Sequence, residues 1–198
     1  MSSYRVFLIR HGENEWTLTG QHTSVTDIPL TDSGRRVARR LAHVLRKVSF
    51  ATVLVSPLSR ARQTCELAGL SDRAQVDCDL MEWNYGDYEG LTSKQIRAQV
   101  PGWMLFSDGC PGGESPEQVG ARVDRAIARV RRVDGNVALF AHGHLFRVMG
   151  ARWIGLPVEA GQHFVLDTAS VSVLSYYQGA AAVKRWNAVV KLPRESAP

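Results

Sequence analysis

A chain of 198 residues, 44% hydrophobic and 22% charged, is long enough for a single domain (residues 1–198) with a substantial core, and its composition is ordinary for a soluble globular protein. No stretch approaches the roughly 20 apolar residues of a membrane span, and Met1-Ser2-Ser3-Tyr4-Arg5 lacks the apolar core and small-residue cleavage site of a signal peptide, so a cytoplasmic protein with no membrane partner is expected. The net charge of +5 suits anionic ligands, but much of it falls on two helices (Arg35, Arg36, Arg39, Arg40, Arg46 and Lys47; Arg125, Arg129, Arg131 and Arg132) without interleaved aromatics, which argues for solvated faces and against a nucleic-acid partner.

Residues 4–10 are apolar and aromatic and predict a buried strand. Residues 12–31 carry no clear period and read as a long functional loop. Val37, Leu41, Val44, Leu45 and Val48 fall at helical spacing with arginines opposite, predicting a helix over 32–48. A short buried strand follows at 51–55. Ser56-Pro57 then predicts a helix with Ser56 as N-cap and Pro57 at its first position. A brief strand is expected at Gln75–Cys78, and one short helix near Ser93–Gln99 within a stretch rich in Gly, Trp and Tyr. Ser115-Pro116-Glu117-Gln118 reads as a capping box opening a helix that buries Val119, Val123, Ile127 and Val130. A strand at 136–141 leads into a helix reaching about Trp153. Strands are expected near 162–166, 171–176 and 182–190, and Leu192–Pro198 reads as a frayed end. Alternating strands and helices imply an α/β fold whose sheet is mostly parallel with helices on both faces, and ligands in such sheets bind beyond the carboxyl ends of the strands.

Two of the strands deliver the chemistry. Phe7-Leu8-Ile9 runs into Arg10-His11-Gly12-Glu13, and Val137-Ala138-Leu139-Phe140 into Ala141-His142-Gly143-His144. Two apolar strands ending in His-Gly suggest one site with two facing histidines, which suits phosphoryl transfer through a phosphohistidine. A histidine nucleophile must be neutral and held in one tautomer, and its anionic target needs a cationic pocket. Arg10 offers a fork for phosphate oxygens. Arg60 sits in the first turn of a helix, itself an anion site, and the helix after His142-Gly143 offers another positive end. Charge-assisted hydrogen bonds of roughly 1.5–3 kcal/mol each could hold a phosphoryl group without a metal. The general acid is expected at Glu82, whose apolar and aromatic neighbours would favour the protonated carboxyl; Glu13 is a second candidate.

The ordered set Arg10-His11-Gly12, Ser56-Pro57-x-x-Arg60-x-x-Gln63-Thr64, Glu82-x-x-Tyr85-Gly86-x-x-Glu89-Gly90 and Ala141-His142-Gly143 resembles the histidine phosphatase superfamily. The resemblance covers nearly the whole chain. It implies the phosphoglycerate mutase-like three-layer α/β/α sandwich, His11 as the phosphorylated nucleophile, Arg10, Arg60 and His142 as the phosphate pocket, and Glu82 as proton donor and later base. Cofactor-dependent mutases of that family usually carry Asn six residues after the nucleophile, where this chain has Thr17. They usually carry His-Gly-Asn late, where it has His142-Gly143-His144, and a longer insertion with an Arg pair, which it lacks. The resemblance therefore implies a hydrolase, similar to the branch of sugar bisphosphatases and broad-range acid phosphatases, with His22, Thr23, Tyr85, Gly143, His144 and Arg147 as substrate contacts.

Rival chemistries are poorly served. Cys110 has Pro116 where a cysteine phosphatase needs Arg, and no P-loop is present. Asp77-x-Asp79 follows only a weak strand, with no later acidic pair to hold magnesium. His142-x-His144 has no matching carboxylate or Cys partner, so neither metal nor cofactor is expected. Cys65, Cys78 and Cys110 read as reduced, mostly packed thiols. The expected activity is a metal-independent phosphomonoesterase acting on a small phosphorylated metabolite such as a sugar phosphate. The alternatives are a cofactor-dependent phosphoglycerate mutase and a non-catalytic sensor of a phosphorylated ligand. The last strands could pair between subunits in a homodimer.

Overall fold

In the computed structural model, which describes residues 4–189, six strands form one sheet. In chain order the elements are β1 (Val6–Arg10), α1 (Glu15–Thr19), α2 (Asp32–Leu45), β2 (Phe50–Val55), α3 (Ser59–Leu67), β3 (Ala74–Val76), α4 (Ser93–Gln99), α5 (Leu105–Asp108), α6 (Pro116–Val130), β4 (Asn136–Ala141), α7 (Gly143–Trp153), β5 (Ser170–Tyr177) and β6 (Ala180–Val189). The sheet order is β3-β2-β4-β1-β5-β6. The first four of these strands run parallel, and β5 and β6 add antiparallel pairs at one side.

Strand alternation builds the three layers. On β1, Phe7 and Ile9 pack with Leu41 and Leu45 of α2 and Ala61 and Cys65 of α3. Val6 and Leu8 point the other way, into a core with Val119, Val123 and Ile127 of α6 and Phe146 and Met149 of α7. Both faces of β1 and β4 are therefore dry, and these strands read as continuous apolar runs for that reason. The parallel strands β1, β2 and β4 end at Arg10, Val55 and Ala141, so His11, Ser56 and His142 all lie just beyond their carboxyl ends. The His11 N–H donates to Ala141 O and the Ser56 N–H to Phe140 O, both at 2.9 Å, which ties the three loops to the sheet.

Several boundaries differ from expectation. The helix expected to start on Ser56 as N-cap begins at Ser59, and its N-cap, Leu58, makes no side-chain bond; the Ser59 N–H is instead met by Asp27 Oδ1 at 2.8 Å. Cys78 belongs to a 3₁₀ turn over Cys78–Leu80, not to a strand, because the Asp77 side chain accepts from Asp79 N and turns the chain. The strand expected near 162–166 does not form. A 3₁₀ segment spans Val158–His163, and the carbonyls of Gly161, Gln162, Val165 and Leu166 are taken by the side chains of Arg147, Trp186 and Arg10, which leaves no ladder to build. The helix expected over 32–48 stops at Leu45, and Val44 is exposed. Position 190 of the last expected strand, and the frayed end at Leu192–Pro198, lie outside the described residues. Among the described residues no helix is long and apolar enough to cross a membrane.

Candidate active site

Behind the first histidine the backbone passes very close to α2. A Cβ on Gly34 would lie 2.2 Å from Glu13 O, and one on Gly12 2.8 Å from Gly34 O. No side chain fits at either position, and this contact sets where the 11–13 turn leaves the sheet. The Gly12 N–H is held by Thr64 Oγ1 at 3.0 Å, and that hydroxyl donates to Arg60 O at 2.7 Å. Turn and α3 are thus locked together.

His11 is buried, and its ring lies 5.2 Å from that of His142, centroid to centroid. Nδ1 of His11 is 2.7 Å from Gly12 O. A carbonyl only accepts, so Nδ1 carries the proton and Nε2 is left with a free lone pair. Burial, then the Arg60 and Arg10 charges, push the His11 pKa well below its ordinary value. The same causes, with burial again first, push His142 down. Both rings are neutral at physiological pH. His142 Nε2 lies 2.7 Å from Ser56 Oγ, and its Nδ1 is buried without a partner.

The cations are tied at one end and open at the other. Arg10 donates through Nη1 to Leu166 O, and Arg60 donates through Nη2 to Thr23 O at 3.0 Å and Ser24 O at 3.2 Å. In each, Nε is buried and unpartnered. Buried donors without acceptors are rare and call for an explanation. Here they are nitrogens of two guanidiniums, whose charges both act on His11, and of the neutral imidazole that faces it, an arrangement suited to an oxyanion. Asn14 Nδ2 is also buried and unpartnered, its Oδ1 being occupied in capping α1.

Glu82 sits otherwise than expected. It does not point into an apolar cage: Oε1 accepts from the Trp83 and Leu145 N–H groups, and Oε2 from the His144 N–H at 3.0 Å. The carboxylate therefore caps α7, and the positive end of that helix, expected to face phosphate, is taken up by Glu82. Oε1 is full, whereas Oε2 accepts one bond and keeps a lone pair. Glu13 accepts through Oε1 from the hydroxyl of Thr31, the N-cap of α2, at 2.7 Å.

A cavity of about 270 Å³ opens over these groups. It is lined by Arg10, His11 and Glu82, and by His22, Thr23, Tyr85, Gly143, His144 and Arg147. Among the residues expected at the site, Arg60 and His142 do not line it, being fully buried, and Glu13, the second candidate acid, lines a different cleft. Gln21, within the run Gly20-Gln21-His22-Thr23 that also resembles the sugar-bisphosphatase branch, contributes, as do Ser93 and Leu166, which nothing in their local sequence marks. One wall is aromatic and uncharged. His22 stacks on Tyr85 with centroids 4.6 Å apart, and Tyr85 Oη lies 2.6 Å from His144 Nδ1. Burial holds His22 down at about 4 and His144 well below its usual range, and raises the Tyr85 phenol. Arg147 is stacked on Phe106 and donates to Gly161 O and Gln162 O. A wider cleft of about 500 Å³ opens on the other side of Arg10, but neither His11 nor Glu82 lines it, so the chemistry belongs to the smaller cavity.

Four neutral buried histidines make stability depend on pH. The unfolded chain protonates each near 6.5 and the folded chain does so only at lower pH. Below about pH 6.5 the unfolded state therefore binds more protons, and stability falls as pH falls, by up to about 1.4 kcal/mol per pH unit for each histidine in its window. Denaturant midpoints taken from about pH 7 to about pH 5 should drop steadily; a flat profile would contradict the neutral assignments.

The Asp77 and Asp79 carboxylates are paired with Arg129 and Arg125 on α6. They lie outside the cavity, and part of the charge expected to be merely solvated is used there.

Comparison with known proteins agrees with the geometry. Residues 6–189 match the model of the histidine phosphatase superfamily, branch 1. The chain is 39% identical over 181 residues to an acid phosphatase of Mycobacterium tuberculosis, covering 89% of each chain. It is 37% identical over 188 residues to sedoheptulose 1,7-bisphosphatase of Saccharomyces cerevisiae, covering 78% of this chain and 69% of the relative. A crystal structure of a Mycobacterium tuberculosis open reading frame superposes with a TM-score of 0.90 at 37% identity, covering 94% of this chain and 98% of the other. Four motifs, one α/β/α fold and a neutral histidine facing unpartnered cationic donors thus lead to the same place: the chain belongs to the histidine phosphatase superfamily and is a phosphatase.

Proposed function

We propose that the protein is a metal-independent phosphomonoesterase that works through a phosphohistidine at His11, on sugar phosphates or related small phosphorylated metabolites. The observation that carries this reading is the Nδ1–Gly12 O bond, which leaves the His11 Nε2 lone pair free beside unpartnered Nε atoms of Arg10 and Arg60 and Nδ1 of His142. Nε2 attacks phosphorus as the ester P–O bond breaks, and Oε2 of protonated Glu82 gives its proton to the leaving oxygen. The Glu82 carboxylate then takes a proton from water, whose oxygen attacks phosphorus. The N–P bond breaks, and inorganic phosphate leaves. The two arginines and His142 hold the non-bridging oxygens. A phosphoryl oxygen only accepts, so it selects the His142 tautomer with the proton on Nδ1 and with Ser56 Oγ donating to Nε2.

The cavity supports a small, hydroxylated substrate. Its volume suits a sugar-sized group, and its walls offer the Gln21 amide, the Ser93 hydroxyl, the neutral His22 and His144 rings and the Tyr85 phenol. The bisphosphatase named above points the same way. Three free thiols fit a cytoplasmic setting. We propose further that the chain acts as one domain and pairs as a homodimer through β6 at the end of the sheet.

The test is phosphate release from p-nitrophenyl phosphate, sugar mono- and bisphosphates and 3-phosphoglycerate with EDTA present, with mutase activity followed in parallel. Release that survives EDTA and is fastest on a sugar phosphate is expected. Interconversion of phosphoglycerates without release would mark a mutase. Phosphate binding with neither activity would mark a sensor.

A further inference from the structure

Glu82 lies on a segment, residues 82–85, with no regular secondary structure. Its carboxyl is tethered to the first N–H groups of α7, but its main chain belongs to no helix or strand. What fixes the main chain is one arginine from α6. Arg122 stands on the buried side of that helix beside Val119 and Val123. Its Nη1 donates to Asp79 O at 2.9 Å and Met81 O at 2.7 Å, and its Nη2 reaches Glu82 O at 3.4 Å. The other edge of the guanidinium forms a fork on Glu114, Nε to Oε1 at 2.9 Å and Nη2 to Oε2 at 2.7 Å.

Glu114 grips the far side of the same segment. Its Oε2 also accepts from the Asn84 N–H at 2.8 Å, its carbonyl accepts from Trp83 Nε1 at 2.9 Å, and its N–H donates to Asn84 O at 2.9 Å. Residues 79–84 are thus held before Glu82 by the Arg122 side chain and after it by the side chain and main chain of Glu114. Ser24 Oγ shares the Glu82 carbonyl with Arg122, at 3.3 Å. Neither Arg122 nor Glu114 lines the catalytic cavity, so neither can touch substrate.

We propose that the Arg122–Glu114 pair is a positioning device for the general acid, holding the Glu82 carboxyl where Oε2 meets the leaving oxygen. The inference rests on Glu82 being that acid. A bidentate arginine pair suits the task because its planar fork fixes direction as well as distance. A displacement of about 1 Å at the reacting atoms costs roughly 100-fold in rate.

The leaving group provides the test. p-Nitrophenolate departs as a stable anion and needs little protonation, whereas a sugar alkoxide departs only as it is protonated. kcat/KM for p-nitrophenyl phosphate and for a sugar phosphate should be measured in wild type, Arg122→Gln, Arg122→Lys, Glu114→Gln and Glu82→Gln. The two Gln variants of the pair should lose roughly 100-fold on the sugar phosphate and only a few-fold on p-nitrophenyl phosphate, with Arg122→Lys between them and wild type. Equal loss on both esters would mean that the pair merely supports folding and would overturn the proposal. Wild-type rates on both would do so too. If Arg122→Gln does not fold, Glu114→Gln and Arg122→Lys carry the same comparison. Glu82→Gln separates the two levels. A steep leaving-group effect there beside parallel loss in the pair variants overturns only the clamp, and no such effect in Glu82→Gln overturns the assignment of Glu82 itself.

Discussion

His11→Ala is expected to abolish phosphate release from every ester, by about 10⁴-fold or more, while the protein stays folded. The loss is large because no other group can take the place of Nε2: the His142 ring has one nitrogen on Ser56 and the other, on the proposed reading, given to a phosphoryl oxygen, and His144 is bound to Tyr85. Residual rates would come only from the pocket's hold on phosphate. The cost to stability is small because the ring makes one hydrogen bond, to Gly12 O, worth about 1 kcal/mol. Removing a buried group that is neutral in the folded state also removes one source of destabilisation at acid pH. Steady-state rates and a melting curve check the two halves separately, and a variant that keeps its rate would remove the nucleophile assignment.

Arg60→Ala is expected to damage both activity and stability. The side chain is fully buried, and it is a strut as well as a proposed phosphate ligand. Without it the Thr23 and Ser24 carbonyls lose their donors, at about 1–3 kcal/mol for each buried group left unpaired. The 23–26 loop would then rest mainly on Glu89, whose Oε1 accepts from the Ser24 and Thr26 N–H groups. Activity should fall by about 10³-fold, because a cationic donor aimed at the transferred group is lost from a dry site. Arg60→Lys keeps the charge but not the fork, since one ammonium cannot serve the loop carbonyls and the phosphoryl oxygens together. It should recover more stability than activity. Paired kcat/KM and thermal midpoints decide this, and an Arg60→Ala variant with wild-type kcat/KM would exclude the residue from the pocket.

What could be read from the sequence was whatever short-range chemistry determines. The apolar runs before His11 and His142 demand burial on both faces, so their ends had to lie at the rim of a parallel sheet. Helix α4 forms where one short helix was expected within an otherwise irregular stretch, and the structure shows Thr92 and Gln95 closing a capping box at its start. Helix α1 was not visible, since it has five residues and buries none of them. The surroundings of Glu82 were misjudged for a different reason. Its neighbours in sequence are apolar, but its carboxyl meets the N–H groups of residues about 60 positions later, when α7 arrives. Ser56 was read as the cap of α3, yet its hydroxyl makes its short contact with His142, at 2.7 Å, and meets only the Leu58 N–H locally, at 3.4 Å. Arg122 did leave a trace, as a charge on the apolar stripe of α6 next to Val119 and Val123, but only the fold says which carbonyls it serves.

The most direct measurement is a search for the phosphoenzyme. The protein would be mixed rapidly with a phosphate ester, quenched in base, digested and examined by mass spectrometry. A phosphoryl group on the peptide carrying His11, stable in base and lost in acid, is the expected result, and it should be absent from His11→Ala. Turnover with no labelled protein, or a label on any residue other than His11, would contradict the phosphohistidine mechanism.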